Sequence, residues 1–345
     1  MKCSSSKNLL KKIGFLNAGS LTVFLFLAML VSPDIVFTGA ADGLLLWFNT
    51  IFPTLFPFMF ITAILLKSGG LNIIANVLGK PLGKIFSVSA AGAFSVIAGF
   101  LCGYPMGAKV TADLVCTKKI ERSEAAYLLS FCNNTSPVFI VNFIIHKILR
   151  DRTLLVPTLI ILIAVPIFLS FFFRRFYFKH SESYGESLRQ TECKNNPFSF
   201  RTFDECMMDS FENIVKVGGY IIIFSVFIRL LTKFSTDIPA YFYLLPVFEL
   251  TNGIIILFER FENIAVSYPL IIALTSFGGL CALAQTKSMI HSSGIPFIPY
   301  LIQKIITAVI SAAAAYGYVL LFYNIYFQWL YNIMKPFTKG VRLII

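Results

Sequence analysis

Apolar residues run along this chain in blocks of membrane length, broken by short polar and glycine-rich interruptions. The first block, FLNAGSLTVFLFLAMLVSPDIVF (15–37), follows a basic head, MKCSSSKNLLKKIG, with four lysines and no acid. The block is long and lacks a small-residue cleavage site, so the pattern predicts a signal-anchor helix with its N-terminus inside. A second span is predicted over 43–66, where Pro53 and Pro57 should bend it. SGGLNIIANVLGKPLGKIF (68–86) is amphipathic and bears Lys80 and Lys84, the pattern of a helix lying in the membrane interface.

The stretch 87–119 is apolar, yet both its flanks, Lys80/Lys84 and Lys118/Lys119/Arg122, prefer the cytoplasm. A re-entrant helical hairpin that enters and leaves by one face satisfies this, with its tip at Gly103–Gly107. Small residues along its first arm allow the close burial that an irregular tip at membrane depth requires. A third span, 124–146, carries NNTSP (133–137), which should break the helix because Asn, Thr and Ser compete for backbone bonds and Pro137 cannot donate. A fourth span covers 153–173.

The polar stretch 174–205 reads as a cytoplasmic linker. The second half follows the same order: a span around 217–234, the apolar segment 240–258, a second hairpin over 267–290, and a last span over about 299–323. The units are therefore 1–42 (basic head and anchor), 43–173 (first repeat), 174–205 (linker), 206–325 (second repeat, tip at 276–279) and 326–345 (basic cytoplasmic tail). Counting crossings makes the two repeats inverted. It puts Lys147, Arg150 and Arg152 outside, against the usual bias of basic residues.

Composition turns this pattern into a class. Of 345 residues, 57% are hydrophobic and only 13% charged, and the mean hydropathy is +0.78. Soluble domains hold about 25% charged residues, so the expected fold is an all-α polytopic helical membrane protein with inverted repeats, two re-entrant hairpins and broken helices. The net charge of +12 is read as basic cytoplasmic loops, not as a nucleic-acid footprint. The 37 phenylalanines suit a lipid-facing surface. Seven scattered cysteines and three separated histidines give no disulfide frame, no zinc spacing and no cofactor site. Cys102 with His146, or Cys281 with His291, lacks any local catalytic signature, and no Walker loop or HExxH occurs, so an enzyme is not expected.

Four motifs carry the candidate chemistry: CGYPMGAK (102–109), FCNNTSP (131–137), FELTNG (248–253) and SFGGLCALAQ (276–285). In this order they resemble the YlbJ-type sporulation integral membrane proteins, which carry nucleoside-recognition (Gate) domains. The resemblance covers about 43–325. Gate domains are in turn similar to concentrative nucleoside transporters, so the resemblance implies paired hairpins and broken helices around a midplane site. It also implies dipicolinate as cargo during spore formation, a nucleoside-like solute as a variant, and the outer forespore membrane as location.

From the residues themselves, the half-helix that starts after Tyr104–Pro105 offers free N–H groups to an anion, flanked by Gly103 and Gly107. Lys109 either adds a full charge there or pairs with Asp113 one turn on. Asn134, Thr135 and Ser136 offer amide, hydroxyl and unwound carbonyl groups to a solute or cation. Glu249, flanked on both sides by apolar sequence, is either an ion-coupling carboxylate or a structural partner of Arg229, and Thr251 and Asn252 accompany it. Ser276, Gly278 and Gly279 form the second tip, or a packing contact only. The function expected is a transporter of a small anionic or heterocyclic solute in the cell membrane, with the lipid bilayer as its surroundings. A coupling proton or sodium ion and a homo-oligomer are compatible with it. The alternative is a non-transporting sporulation scaffold or sensor that recruits a partner protein, through the 174–205 linker.

Overall fold

A computed structural model describes residues 19, 20, 22–68, 70–177, 199–234 and 241–323. The basic head, most of the 174–205 linker and the 326–345 tail lie outside them. Among the described residues the chain is helical almost throughout, with no strand. Among the described residues six helices are long and apolar enough to cross a membrane, or seven if the bent pair Val77–Phe86 and Ala90–Cys102 is one span.

The chain starts with a short apolar helix, α1 (Thr22–Val31). The predicted anchor over 15–37 ends earlier than expected, because Pro33 opens the next helix at a position where a missing N–H costs nothing. That helix, α2, runs from Pro33 to Lys67 as one span. Its expected proline bend takes the form of a π-helical turn at Trp47–Ile51, just before Pro53. A wider turn makes room for a proline ring that would strike the carbonyl four residues back.

The amphipathic helix follows as α3 (Gly70–Phe86), and the chain then bends by 88° into the next helix. Here α4 (Ala90–Cys102) and α5 (Met106–Cys116) pack against each other as a hairpin. Ser95 Oγ and Thr111 Oγ1, eight residues on either side of Gly103, share a hydrogen bond across it. The third span is α6 (Arg122–Cys132), a non-helical break at 133–136, and α7, which begins at Pro137–Phe139 and continues as the π-helical Ile140–Leu149. The fourth is α8 (Leu155–Tyr177).

A long span, α9 (Phe200–Phe234), begins well before the expected residue 217, and its polar first turns bring Asp209 to Lys67 at 3.1 Å. Next, α10 (Tyr241–Phe248) and α11 (Leu250–Arg260) pack together, and the space a side chain would need at Gly253 is filled by the Pro246 carbonyl. The chain thus folds back at Glu249. Two further helices, α12 (Ile264–Phe277) and α13 (Gly279–Ile290), run on as one candidate span, Ile264–Ser293, broken at Gly278. The last helix is α14 (Phe297–Tyr318).

This corrects the expected place of the second fold-back. Gly278–Gly279 resembled the first tip by composition, but paired glycines also break a span without reversing it. The fold-back lies one motif earlier, at FELTNG.

Burial runs inside-out. Ser95, Thr111, Thr158, Ser170, Thr286 and Ser311 are fully buried, whereas Phe37, Phe168 and Phe176 are about two-thirds or more exposed. Of these hydroxyls Ser95, Thr111, Thr158, Ser170 and Thr286 are paired by helix carbonyls or by other side chains, whereas Ser311 Oγ has no partner among the described residues, and the apolar exterior meets lipid without cost.

Candidate functional site

The first hairpin is seated by glycine. A side chain on Gly99 or Gly107 would run into the Cys132 carbonyl, and one on Gly103 would meet Ser136 N at 2.5 Å. These three glycines, spaced by four, lay the hairpin tip along the strip 132–136. Gly103 also has φ +78°, a conformation that side chains disfavour. Gly103 and Gly107, expected to flank an anion site, thus pack closely on this strip, and Tyr104 is the tip residue that lines the cavity below.

The break in the third span is satisfied group by group, as buried backbone requires. The Asn134 carbonyl accepts from Tyr104 N at 2.7 Å, and the Asn133 carbonyl from Lys304 Nζ at 3.0 Å. Asn134 Nδ2 donates to the Phe131 carbonyl. Ser136 caps the restarted helix by accepting from Phe139 N at 3.3 Å. Thr135 Oγ1 donates to the Thr275 carbonyl at 2.9 Å and so ties this break to the one at Gly278.

At the second fold-back Glu249 caps α11 with its own carboxylate. Oε1 accepts from Thr251 N at 3.0 Å and Oε2 from Asn252 N at 2.8 Å. Only 5% of the residue is exposed. Arg229, the structural partner considered for it, pairs with Asp42 at 2.7 Å. Glu249 therefore has no ion pair among the described residues, and the helix N-terminus supplies its compensation.

These pieces meet at one narrow cavity of about 50 Å³. Tyr104, Thr135, Ser136, Glu249, Thr251 and Gly278 line it, one or two from each of the four motifs. The Tyr104 ring lies 3.6 Å from the point where Gly278 would carry a Cβ, so the first tip touches the second break directly. Thr54 of α2, which sequence reasoning did not bring in, also lines the cavity, as do Cys281, weighed only for a pair with His291, and Gln285, which follows the second tip.

Other expected site residues lie elsewhere. Lys109 pairs with Asp113 at 2.7 Å and lines a second cavity of about 260 Å³, together with Lys67 and Asp209. Pro105 precedes α5 beneath the tip. Asn134 faces Lys304 at 3.3 Å, and Asn252 faces Ser225 at 3.4 Å. Gly279 packs on the backbone of Val247 and Leu250, and the buried Ser276 Oγ has no partner.

Two residues with dense polar contacts escaped the sequence reading. Asn133 Nδ2 donates to Thr286 Oγ1 at 2.9 Å and to Tyr300 OH at 2.8 Å, while its Oδ1 accepts from Ala108 N at 3.2 Å. It thereby fastens α5, α13 and α14 to the break. Lys304, 2% exposed, sits in the last apolar span, where a lone cation carries the same signal that marked Glu249.

Comparison with known proteins agrees with the motif resemblance. Residues 48–150 match the family model described as Gate, nucleoside recognition. The chain is 26% identical to the sporulation integral membrane protein YlbJ of Bacillus subtilis (strain 168), over 93% of this chain and 86% of that protein. No solved structure matches.

Proposed function

We propose that this Gate-type membrane protein transports a small planar heterocycle through the cavity between its two hairpins and two broken spans. One observation carries the reading: four motifs far apart in sequence each send a side chain or a bare glycine to the same cavity. Polar breaks are costly in a bilayer, and a shared cavity is what repays them functionally.

The lining suits a heterocycle. Hydroxyls of Tyr104, Thr135, Ser136 and Thr251 and the Gln285 amide offer hydrogen bonds, and Ile51, Leu55 and Phe139 offer apolar walls. The cavity holds about 50 Å³, well under the range of small-molecule pockets, so a heterocycle enters only as its walls part. No lysine or arginine lines the space, and Glu249 is its single ionisable acid. A neutral, nucleoside-like solute fits this better than a dianion. Dipicolinate fits when it arrives with protons or when Glu249 carries one.

The crossing count supports opposed repeats. Three spans, α2, α6–α7 and α8, separate the start of the first unit from the start of the second. An odd number turns the second unit over, so the hairpin at Tyr104 opens from the cytoplasmic face and that at Glu249 from the other. Five crossings from Arg122 then bring Tyr323 to the outer face, which argues against the expected cytoplasmic start of the tail.

The test is uptake of labelled uridine, adenosine and dipicolinate into proteoliposomes. Uptake of one of them that is lost in Glu249→Leu supports the reading. If none is moved and none is bound, transport is wrong and the scaffold reading takes its place.

A further inference from the structure

A broken span ends in carbonyls that no helix satisfies, and the negative end of the helix dipole lies with them. Here that end is the C-terminus of α6, capped by Asn133 and held inside the protein. A cation is the natural occupant of such an end, and half-helix C-termini in transporters coordinate monovalent ions. The occupant is Lys304. Its Nζ donates to the Asn133 carbonyl at 3.0 Å and to Asn134 Oδ1 at 3.3 Å. Among the described residues no carboxylate lies within ion-pair distance of it.

The surroundings hold these oxygens in place whether or not the ammonium is there. Asn133 is fixed through its side chain by Thr286, Tyr300 and Ala108 N. Asn134 is fixed by its bond to the Phe131 carbonyl and by the Tyr104 N–H on its own carbonyl. A buried charge without a counter-ion is costly unless dipoles are aimed at it, and these two oxygens supply that aim.

We propose that the Lys304 ammonium is a tethered cation filling a monovalent-cation site at the broken end of α6. The chain thus carries at this break the charge that a free ion would otherwise bring. Under the transport reading, the consequence is a solute cycle that needs no sodium at this position. The cation site itself can be tested without any solute.

The full chain in detergent is unfolded thermally in equal concentrations of sodium, potassium and choline chloride. Wild type is expected to melt at one temperature in all three. Lys304→Ala removes Cγ, Cδ, Cε and Nζ and leaves the oxygens facing a space that a small ion and water can enter. This variant should be less stable in choline and should gain about 2–4 °C, saturably, in sodium or potassium. Lys304→Ser is the second variant, because its small hydroxyl keeps a polar group in the space and leaves room for water to reach the Asn133 carbonyl. The proposal is overturned if wild type is itself stabilised by sodium over choline. It is overturned equally if the variants melt alike in all three salts, or if both fail to fold in every salt. A failed uptake assay leaves these outcomes untouched.

Discussion

The two hairpins reach the same cavity by different means. At the first, the backbone makes the turn: Gly103 has φ +78°, and its carbonyl accepts from Met106 N at 2.9 Å. No side chain of the tip itself caps α5, whose Ala108 N–H is met by Asn133 of the break, and the tip rests on the break through glycine surfaces. At the second, a side chain makes the turn: Glu249 is in extended conformation, and its carboxylate caps α11. The first tip is therefore intolerant of any added atom and indifferent to charge. The second accepts other side chains sterically but depends on its carboxylate.

The largest effect should separate the tips on steric grounds. Gly103→Ala forces a Cβ onto Ser136 and strains φ, and should cost about 3 kcal/mol or more. Gly219→Ala, which meets open space in a helix, should be neutral or stabilising by up to about 1 kcal/mol. Thermal unfolding of purified protein measures both, and equal stability of the two variants would remove the steric account of the first tip.

A smaller effect should separate them by charge. Glu249→Ala frees two backbone N–H groups and should cost about 1–3 kcal/mol and abolish uptake. Glu249→Gln keeps an acceptor oxygen and should lose roughly half as much stability. Its uptake then reports whether the ionisable group, and not the cap alone, serves transport.

Thr135→Val cuts the bond between the two breaks and removes a cavity hydroxyl, which should raise the solute KM roughly ten-fold. The smallest effect is expected at Lys109→Met. Loss of an i,i+4 ion pair should cost about 0.3–0.5 kcal/mol and leave uptake intact. Abolished uptake there would return Lys109 to the solute's path.

Much of this was legible in the sequence, for a definable reason. Membrane spans announce themselves by apolar length, and a charge or an Asn-Thr-Ser run within one is conspicuous, so Glu249 and Thr135–Ser136 could be read directly. What composition hides is direction. A glycine pair looks alike whether the chain reverses or only breaks, and so the second fold-back was expected at Gly278 when it lies at Glu249. Polar hubs formed by distant partners are hidden as well. Asn133 binds residues more than 150 positions away, and nothing local separates it from Asn134. Lys304 was visible as a lone lysine in an apolar span, and the length of that span masked it.

The shared cavity is tested most directly by solute protection of cysteines from a water-soluble maleimide. Ser136→Cys and Thr251→Cys are each placed in a chain freed of its native cysteines, with Thr117→Cys, exposed and away from the cavity, as reference. A transported heterocycle should slow labelling at both cavity positions with one concentration dependence and leave Thr117→Cys unchanged. Protection at only one of the two positions, or equal protection at all three, would contradict a single site formed by both hairpins and both breaks.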